Sequence, residues 1–467
     1  MNMTLFQFTF LRRFFVLSFL LALLSGCQSF QKQSFSPMAH QVEDLDNGLK
    51  ILWIEDGKIP YFSMNLMIPV GSAWDRDGKE GEASLVASLL DKGTKERSAT
   101  QIAEDLEFLG LSFGASVDED FTTVGISGLS VHSEKAINEM FDLLMHAEFK
   151  DSEVKRQVAL TEAQVQRGFD KPSVVASVAL EKEIYKNHPY SKLSSGSLSS
   201  LKGMKRSDLM DFYGRAYHPD HAVLAVVGKF GDAEKSQIRK LYSTWARSKT
   251  AIGKLPEPTE PGRRVIYIEK PGLKQAEVRF GHLGISRKDP DYLKLRVANT
   301  ILGAGFIGRL FTEIRAKRGL TYSIYSYFDS REVPGPFVIS TFTRPDKISE
   351  MIRETLKVYS DFSKGVSESE VKDAVAYLKG SFPQIIETSD DLARQLLILY
   401  RYGIDPDYLK DYMNNVSKID HKELNAIMSK HFHPDKVTVV VTGPPGGEVG
   451  LEMFGKLEKI SAKSLYK

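Results

Sequence analysis

The residues able to do chemistry in this chain are few and scattered. Cys27 is the only thiol among 467 residues, so the chain holds no internal disulfide, thiolate metal cluster or redox pair. Ten histidines are present, yet residues such as His132, His146 and His188 stand at no metal-ligand spacing. No Ser/His/Asp arrangement is identifiable either. Gly303-Ala304-Gly305 lacks the Lys-Ser/Thr of a phosphate loop and the spacing of a dinucleotide fingerprint, so it reads as a turn that permits close packing. Arg315 and Tyr322, taken on the residues alone, read first as structural. A helical pattern from about Gly308 ends near Lys317, with Gly319 as a left-handed cap. Tyr322 then starts the next strand, which brings both side chains to one helix–strand corner. A guanidinium offers a planar fork to carbonyls or carboxylates, and a phenol can donate to an oxyanion. Their structural readings are plain. Arg315, beside Lys317 and Arg318, complements the helix C-terminal dipole, and Tyr322 is a core aromatic with a satisfied hydroxyl.

The elements that must position these residues come from an ordinary globular composition, 42% hydrophobic and 26% charged. The formal charge is +2, which excludes a general nucleic-acid-binding surface as the main function. Asn47-Gly48 between Val42–Leu45 and Leu49–Ile54 is a hairpin signal. Tyr61–Val70 is strand-like. Ser98 and Gln101 form a capping box for a helix ending at Gly110. Phe113–Val117 and Phe121–Ile126 pair around Asp118-Glu119-Asp120, and helical patterns run over about 133–147, 151–169 and 173–185. Grouped rather than alternating strands and helices indicate an α+β fold with mainly antiparallel sheets.

A Pro/Gly-rich stretch over residues 247–262 reads as a linker, between halves at 41–246 and 263–467. The halves repeat. Residues 206–229 and 421–444 align without gaps at an offset of 215, with six identities in 24 positions. His218-Pro219-Asp220 falls on His433-Pro434-Asp435, and Gly228 on Gly443. In each copy a helical pattern ends at an aromatic residue, proline breaks it, and a β-branched run follows.

At the N-terminus Arg12 and Arg13 precede an apolar run, Phe14–Leu24, too short for a hydrocarbon core that needs about twenty residues. This reads as a signal peptide over residues 1–26. Leu24-Ser25-Gly26-Cys27 resembles the lipobox of bacterial lipoproteins. The resemblance implies cleavage before Cys27, acylation of its sulfur, and a lipid anchor for the mature chain. Gln28 after the cysteine, where some lipoproteins have Asp, points to the bacterial outer membrane, with the protein facing the periplasm. Residues 27–40 would be a lipidated, flexible tether.

Gly81–Thr94 (GEASLVASLLDKGT) resembles the zinc-site helix of the insulinase/pitrilysin metallopeptidases, which include the mitochondrial processing peptidase. Those proteins carry His-x-x-Glu-His inside a Gly-x-Ala-His…Lys-Gly-Thr frame. The frame persists as Gly81, Ala83, Lys92, Gly93 and Thr94. The histidine positions hold Ser84 and Ser88, and the catalytic glutamate position holds Ala87. Positions i and i+4 share a helix face, so two histidines there could share zinc, but neutral hydroxyls are poor zinc ligands and alanine is no base. The family's third ligand matches Glu162. Residues 302–326 (LGAGFIGRLFTEIRAKRGLTYSIYS) resemble the family's second-half signature, whose Arg and Tyr contact substrate. The matching positions are Arg315 and Tyr322. His188-Pro189-Tyr190, Lys270-Pro271-Gly272 and Gly380-Ser381-Phe382-Pro383 extend the match over about 41–460.

The resemblance implies two homologous α/β-sandwich halves, each a mainly antiparallel sheet covered by helices, closing as a clamshell. It implies no independent zinc hydrolysis: no metal or cofactor is held by this chain, and zinc belongs to a catalytic partner. The expected function is that of an inactive subunit. It would pair as a heterodimer with a zinc-bearing homologue in a peptide-degrading or processing peptidase, supplying Arg315 and Tyr322 to the peptide substrate. The alternative is a non-enzymatic envelope scaffold or chaperone that binds peptides.

Overall fold

The structure is a computed structural model that describes residues 39–248 and 252–466. The expected signal peptide, Cys27 and nearly all of the tether lie outside the described residues. Two six-stranded sheets carry the fold. The first is formed by β1 (Gln41–Asp44), β2 (Lys50–Glu55), β3 (Tyr61–Ile68), β4 (Ser112–Val117), β5 (Thr122–Leu129) and β6 (Val223–Gly228), in the order β1-β2-β6-β3-β5-β4. The second is formed by β7 (Arg264–Glu269), β8 (Ala276–Leu283), β9 (Ile324–Phe328), β10 (Pro336–Thr343), β11 (Thr438–Gly443) and β12 (Lys456–Ile460), in the order β12-β7-β11-β8-β10-β9. The strand hairpin at Asn47-Gly48, the capping box at Ser98 and the paired strands around residues 118–120 all form.

The two sheets share one plan. β2 pairs with β6 in parallel, as β7 does with β11. The remaining neighbours out to the edge strands β4 and β9 are antiparallel in both. β6 and β11 are fully buried central strands (VLAVVG and TVVVTG), which is why they read as unbroken apolar runs. Strand β3 alternates instead. Phe62, Met64, Leu66 and Ile68 enter the core with Leu85 and Val86, while Ser63 and Asn65 reach Asp390 on the opposite face.

That opposite face is where the two parts interlock. The helix Pro172–Ile184, which belongs in sequence with the first sheet, packs on β8 and β11 of the second. Its counterpart Ser389–Arg401 packs on β6, β3 and β2 of the first. Gly281 on β8 makes room for the exchange: a Cβ there would lie 2.9 Å from Leu180 and 3.0 Å from Ile184. Ser63 Oγ donates to Asp390 at 2.6 Å and Tyr185 Oη to the Pro334 carbonyl at 3.0 Å, so both crossings carry polar ties as well as apolar ones. Among the described residues no helix is long and apolar enough to cross a membrane.

Candidate functional site

The degenerate motif sits on the helix Glu82–Leu89, which packs on β4 and on the helix Asp151–Gly168. Gly81 enters it with φ +97°, a conformation glycine adopts without strain. The buried carboxylate of Asp75 caps the start, accepting from the amides of Gly81 at 2.7 Å and Ala83 at 2.9 Å. Burial pushes this carboxyl up to about 8, against the pull of the Ala83 and Gly81 amides. Glu82 is fully buried and gripped by Arg76, with Nε donating to Oε1 at 2.9 Å.

Ser84 and Ser88 are half-buried and Ala87 is buried. Ser84 Oγ donates to the Ser194 carbonyl at 2.6 Å, and Ser88 Oγ donates to the Leu85 carbonyl of its own helix at 2.9 Å. Glu162 lies half-buried on the neighbouring helix Asp151–Gly168. The corner therefore offers one carboxylate and two hydroxyls already committed to backbone carbonyls, a donor set that does not fit zinc. Among the described residues the group of His, Asp and Glu close enough to share a cation is Asp289, Asp291 and His431. Burial opposes ionisation of Asp291, but hydrogen bonds from Lys430, His431 and Lys294 outweigh it and hold its carboxyl well below the usual range. The Asp291 carboxylate is thus already engaged by three side chains.

Arg315 and Tyr322 are placed differently from the sequence expectation. The segment Phe311–Ala316 is a π-helix rather than an ordinary α-turn, with the Lys317 amide bonded to the Thr312 carbonyl at 3.0 Å. Such widened turns recur at functional sites. Gly319 is left-handed as expected, at φ +61°. Strand β9 begins at Ile324, so Tyr322 precedes it, and Tyr322 is 79% exposed rather than in the core. Arg315 stacks on Phe311 at 4.7 Å and Phe306 at 5.9 Å from the ring centroids. No hydrogen bond joins Arg315 to Tyr322 among the described residues. Arg315 is half-buried, and the Phe306 ring it faces is, like Tyr322 and Ile307, exposed. The sequence reading missed the two phenylalanines; for Phe306 the available signal was a large apolar residue set between Gly305 and Gly308.

A second feature escaped the sequence reading. A groove of about 720 Å³ lies between the first sheet and the exchanged helix Ser389–Arg401, lined by Tyr61, Asn65, Gly114, Gly125, Asp390 and Arg394 among others. Gly114, Gly125, Asn65 and Ala225 stand in register across the first sheet. The matching row of the second is Tyr325, Ser340, Arg279 and Val440. The first sheet is open where the second is filled by larger side chains.

Comparison with known proteins agrees with this architecture. The family model described as insulinase (peptidase family M16) matches residues 50–195, and that of the peptidase M16 inactive domain matches residues 203–378. A crystal structure of a peptidase M16 inactive domain from Pseudomonas fluorescens superposes with a TM-score of 0.82 at 30% identity, covering 87% of this chain and 98% of that one. The Helicobacter pylori non-peptidase homolog YmxG is 24% identical over 91% of this chain and 98% of its own length. The Bacillus subtilis protein described as an uncharacterized zinc protease, YmxG, is 23% identical over 86% and 98%. With its motif frame intact, its histidine positions held by Ser84 and Ser88 and its catalytic glutamate position by Ala87, the chain belongs to the insulinase (M16) peptidase family as an inactive member.

Proposed function

We propose that this chain is the non-catalytic subunit of a two-chain peptidase, paired with a zinc-bearing homologue and anchored to the bacterial envelope through lipid on Cys27. The observation that carries the reading is the contrast between its two corners. Ser84 and Ser88 are turned into backbone contacts, while Tyr322 stands exposed and Arg315 lies half-buried over Phe306 and Phe311 with no ion pair among the described residues. Arg315 and Tyr322 would hold a peptide's carbonyls at the partner's active centre, contributing by orientation and by polarising a carbonyl. The stacked Phe306 and Phe311 fix the direction of the Arg315 fork. The test is turnover by the reconstituted pair with Arg315→Ala or Tyr322→Phe. A fall of about tenfold or more with the pair still assembled supports the reading, and unchanged turnover removes it.

The groove beneath Ser389–Arg401 favours a second reading, a peptide-binding scaffold that acts without a catalytic partner. Co-purification from envelope extracts separates the two. A zinc-bearing homologue at equal stoichiometry supports the first, and a homodimer loaded with peptide supports the second.

A further inference from the structure

The corner that in the first half carries Ser84 and Glu162 has a counterpart in the second, made by the helices Tyr292–Gly303 and Glu368–Ile385 and the edge strand β9. A cavity of about 350 Å³ opens there, within the size range of small-ligand sites. Its walls are mainly aromatic and aliphatic: Tyr292, Leu295, Tyr327, Phe328, Tyr377 and Leu378. Arg296 is the one charged residue in its lining.

The surroundings of that guanidinium are unusual for this protein. Its nearest electrostatic neighbours are Tyr292, Tyr412 and Tyr408, and no salt bridge joins it to a carboxylate among the described residues. The Tyr408 and Tyr412 hydroxyls are themselves buried without a hydrogen-bond partner. A second guanidinium, Arg287, stacks on Tyr292 at 3.8 Å and Tyr408 at 5.2 Å from the ring centroids, adding positive charge to the same cluster. The other polar groups nearby are engaged. Asn299 exchanges hydrogen bonds with Ser326, Thr300 donates to the Arg296 carbonyl, and Asp291 is held by Lys294, Lys430 and His431. Elsewhere the buried arginines are paired, Arg279 with Glu277 and Arg331 with Glu181 and Asp329. A half-buried guanidinium facing an aromatic cavity carries charge that the protein alone does not balance.

We infer that this cavity binds an aromatic or apolar ligand ending in a carboxylate, which Arg296 takes through its planar fork while the tyrosine and leucine walls cover the apolar body. Arg315 and Tyr322 are not part of the lining, so the inference stands apart from the subunit reading.

The test is calorimetric titration of the full chain with N-acetylphenylalanine and with its carboxamide. The acid is expected to bind at least tenfold more tightly than the amide, Arg296→Gln to abolish that preference, and a change at the exposed Arg344, Arg344→Gln, to leave it intact. A hexapeptide ending in phenylalanine, as free acid and as amide, distinguishes the two sources of such a carboxylate. An acid preference with the hexapeptide identifies a peptide end, and a preference confined to the small compound identifies a free acid. Equal binding of acid and amide, no binding of either acid at millimolar concentration, or an Arg296→Gln variant that keeps the preference overturns the inference. The acid–amide comparison on the unaltered protein stands even where the variant folds poorly.

Discussion

Asp120 and Tyr402 meet across the two halves: the Tyr402 hydroxyl donates to Asp120 Oδ2 at 2.8 Å, and the Asp120 carboxylate is fully buried. The same carboxylate accepts from Tyr190 Oη and from the Glu332 amide at 2.7 Å, and the Asp120 carbonyl accepts from Arg401. Tyr402→Phe removes one donor and should cost about 1–2 kcal/mol. Asp120→Ala strands several buried donors at once and should cost about 3–5 kcal/mol. Denaturant unfolding measures both, and an Asp120→Ala loss below about 1 kcal/mol would contradict this view of the junction.

The same loop makes stability depend on pH. Burial and the carboxylates of Glu119 and Asp120 push Asp118 up to about 7, only partly offset by the Asp120 amide and Arg331. The folded state thus holds this proton more tightly than the unfolded chain does. Its contribution is fully present below about pH 4 and is lost as pH rises through about 7. His282 acts oppositely. Burial lowers its pKa to about 4, so its contribution is present above about pH 6.5 and is lost as pH falls through 4. Asp118→Asn should therefore lessen the decline between pH 5 and 8, leaving the part that Asp75 contributes, and leave the acid side unchanged. Melting curves across that range compare the two proteins.

Gly281 reports on the exchanged helix. A Cβ there meets Leu180, Ile184 and the Phe337 carbonyl at 2.9–3.0 Å. Gly281→Val should cost about 1–3 kcal/mol through overpacking. It should also raise amide exchange in Pro172–Ile184 more than in helices that keep to their own sheet. Uniform exchange across all helices would count against the exchange as a distinct contact.

Metal content tests the degenerate corner directly. The purified chain should carry no stoichiometric zinc, because its hydroxyls donate to carbonyls and are not ionised ligands. The double change Ser84→His with Ser88→His should bind about one zinc per chain, and adding Glu162→Gln should weaken it markedly. Retention of zinc after the Glu162 change would show that this helix is not the third-ligand position.

Lipidation makes the last prediction. On the proposed lipid anchor, Cys27→Ser should shift the protein from the membrane fraction to the soluble envelope fraction. Fractionation with a labelled fatty acid checks it.

Local features were legible in the residues because their causes are local. Asn47-Gly48 makes its hairpin, Ser98 and Gln101 cap their helix, and the 215-residue offset that aligns Gly228 with Gly443 also superimposes β6 on β11. The replaced side chains at 84, 87 and 88 were equally plain. What escaped notice depends on distant partners. The π-turn at Phe311–Ala316 and the stacking of Arg315 on Phe306 leave no periodic trace. Nothing near Arg296 in sequence says that its counter-charge is missing; that follows only when Tyr408 and Tyr412 fold beside it. Nor do the apolar residues of Pro172–Ile184 reveal whose sheet they cover.

The crossed helices also bear on how such a chain can come apart. Each sheet is roofed by a segment encoded with the other, so a protease that severed the linker would yield two fragments still wound through one another, migrating as a single particle until denatured. By the same logic, two separate copies of a single half could trade roofs and form a twin. A fused chain of this kind is what duplication of the gene for such a twin would leave behind.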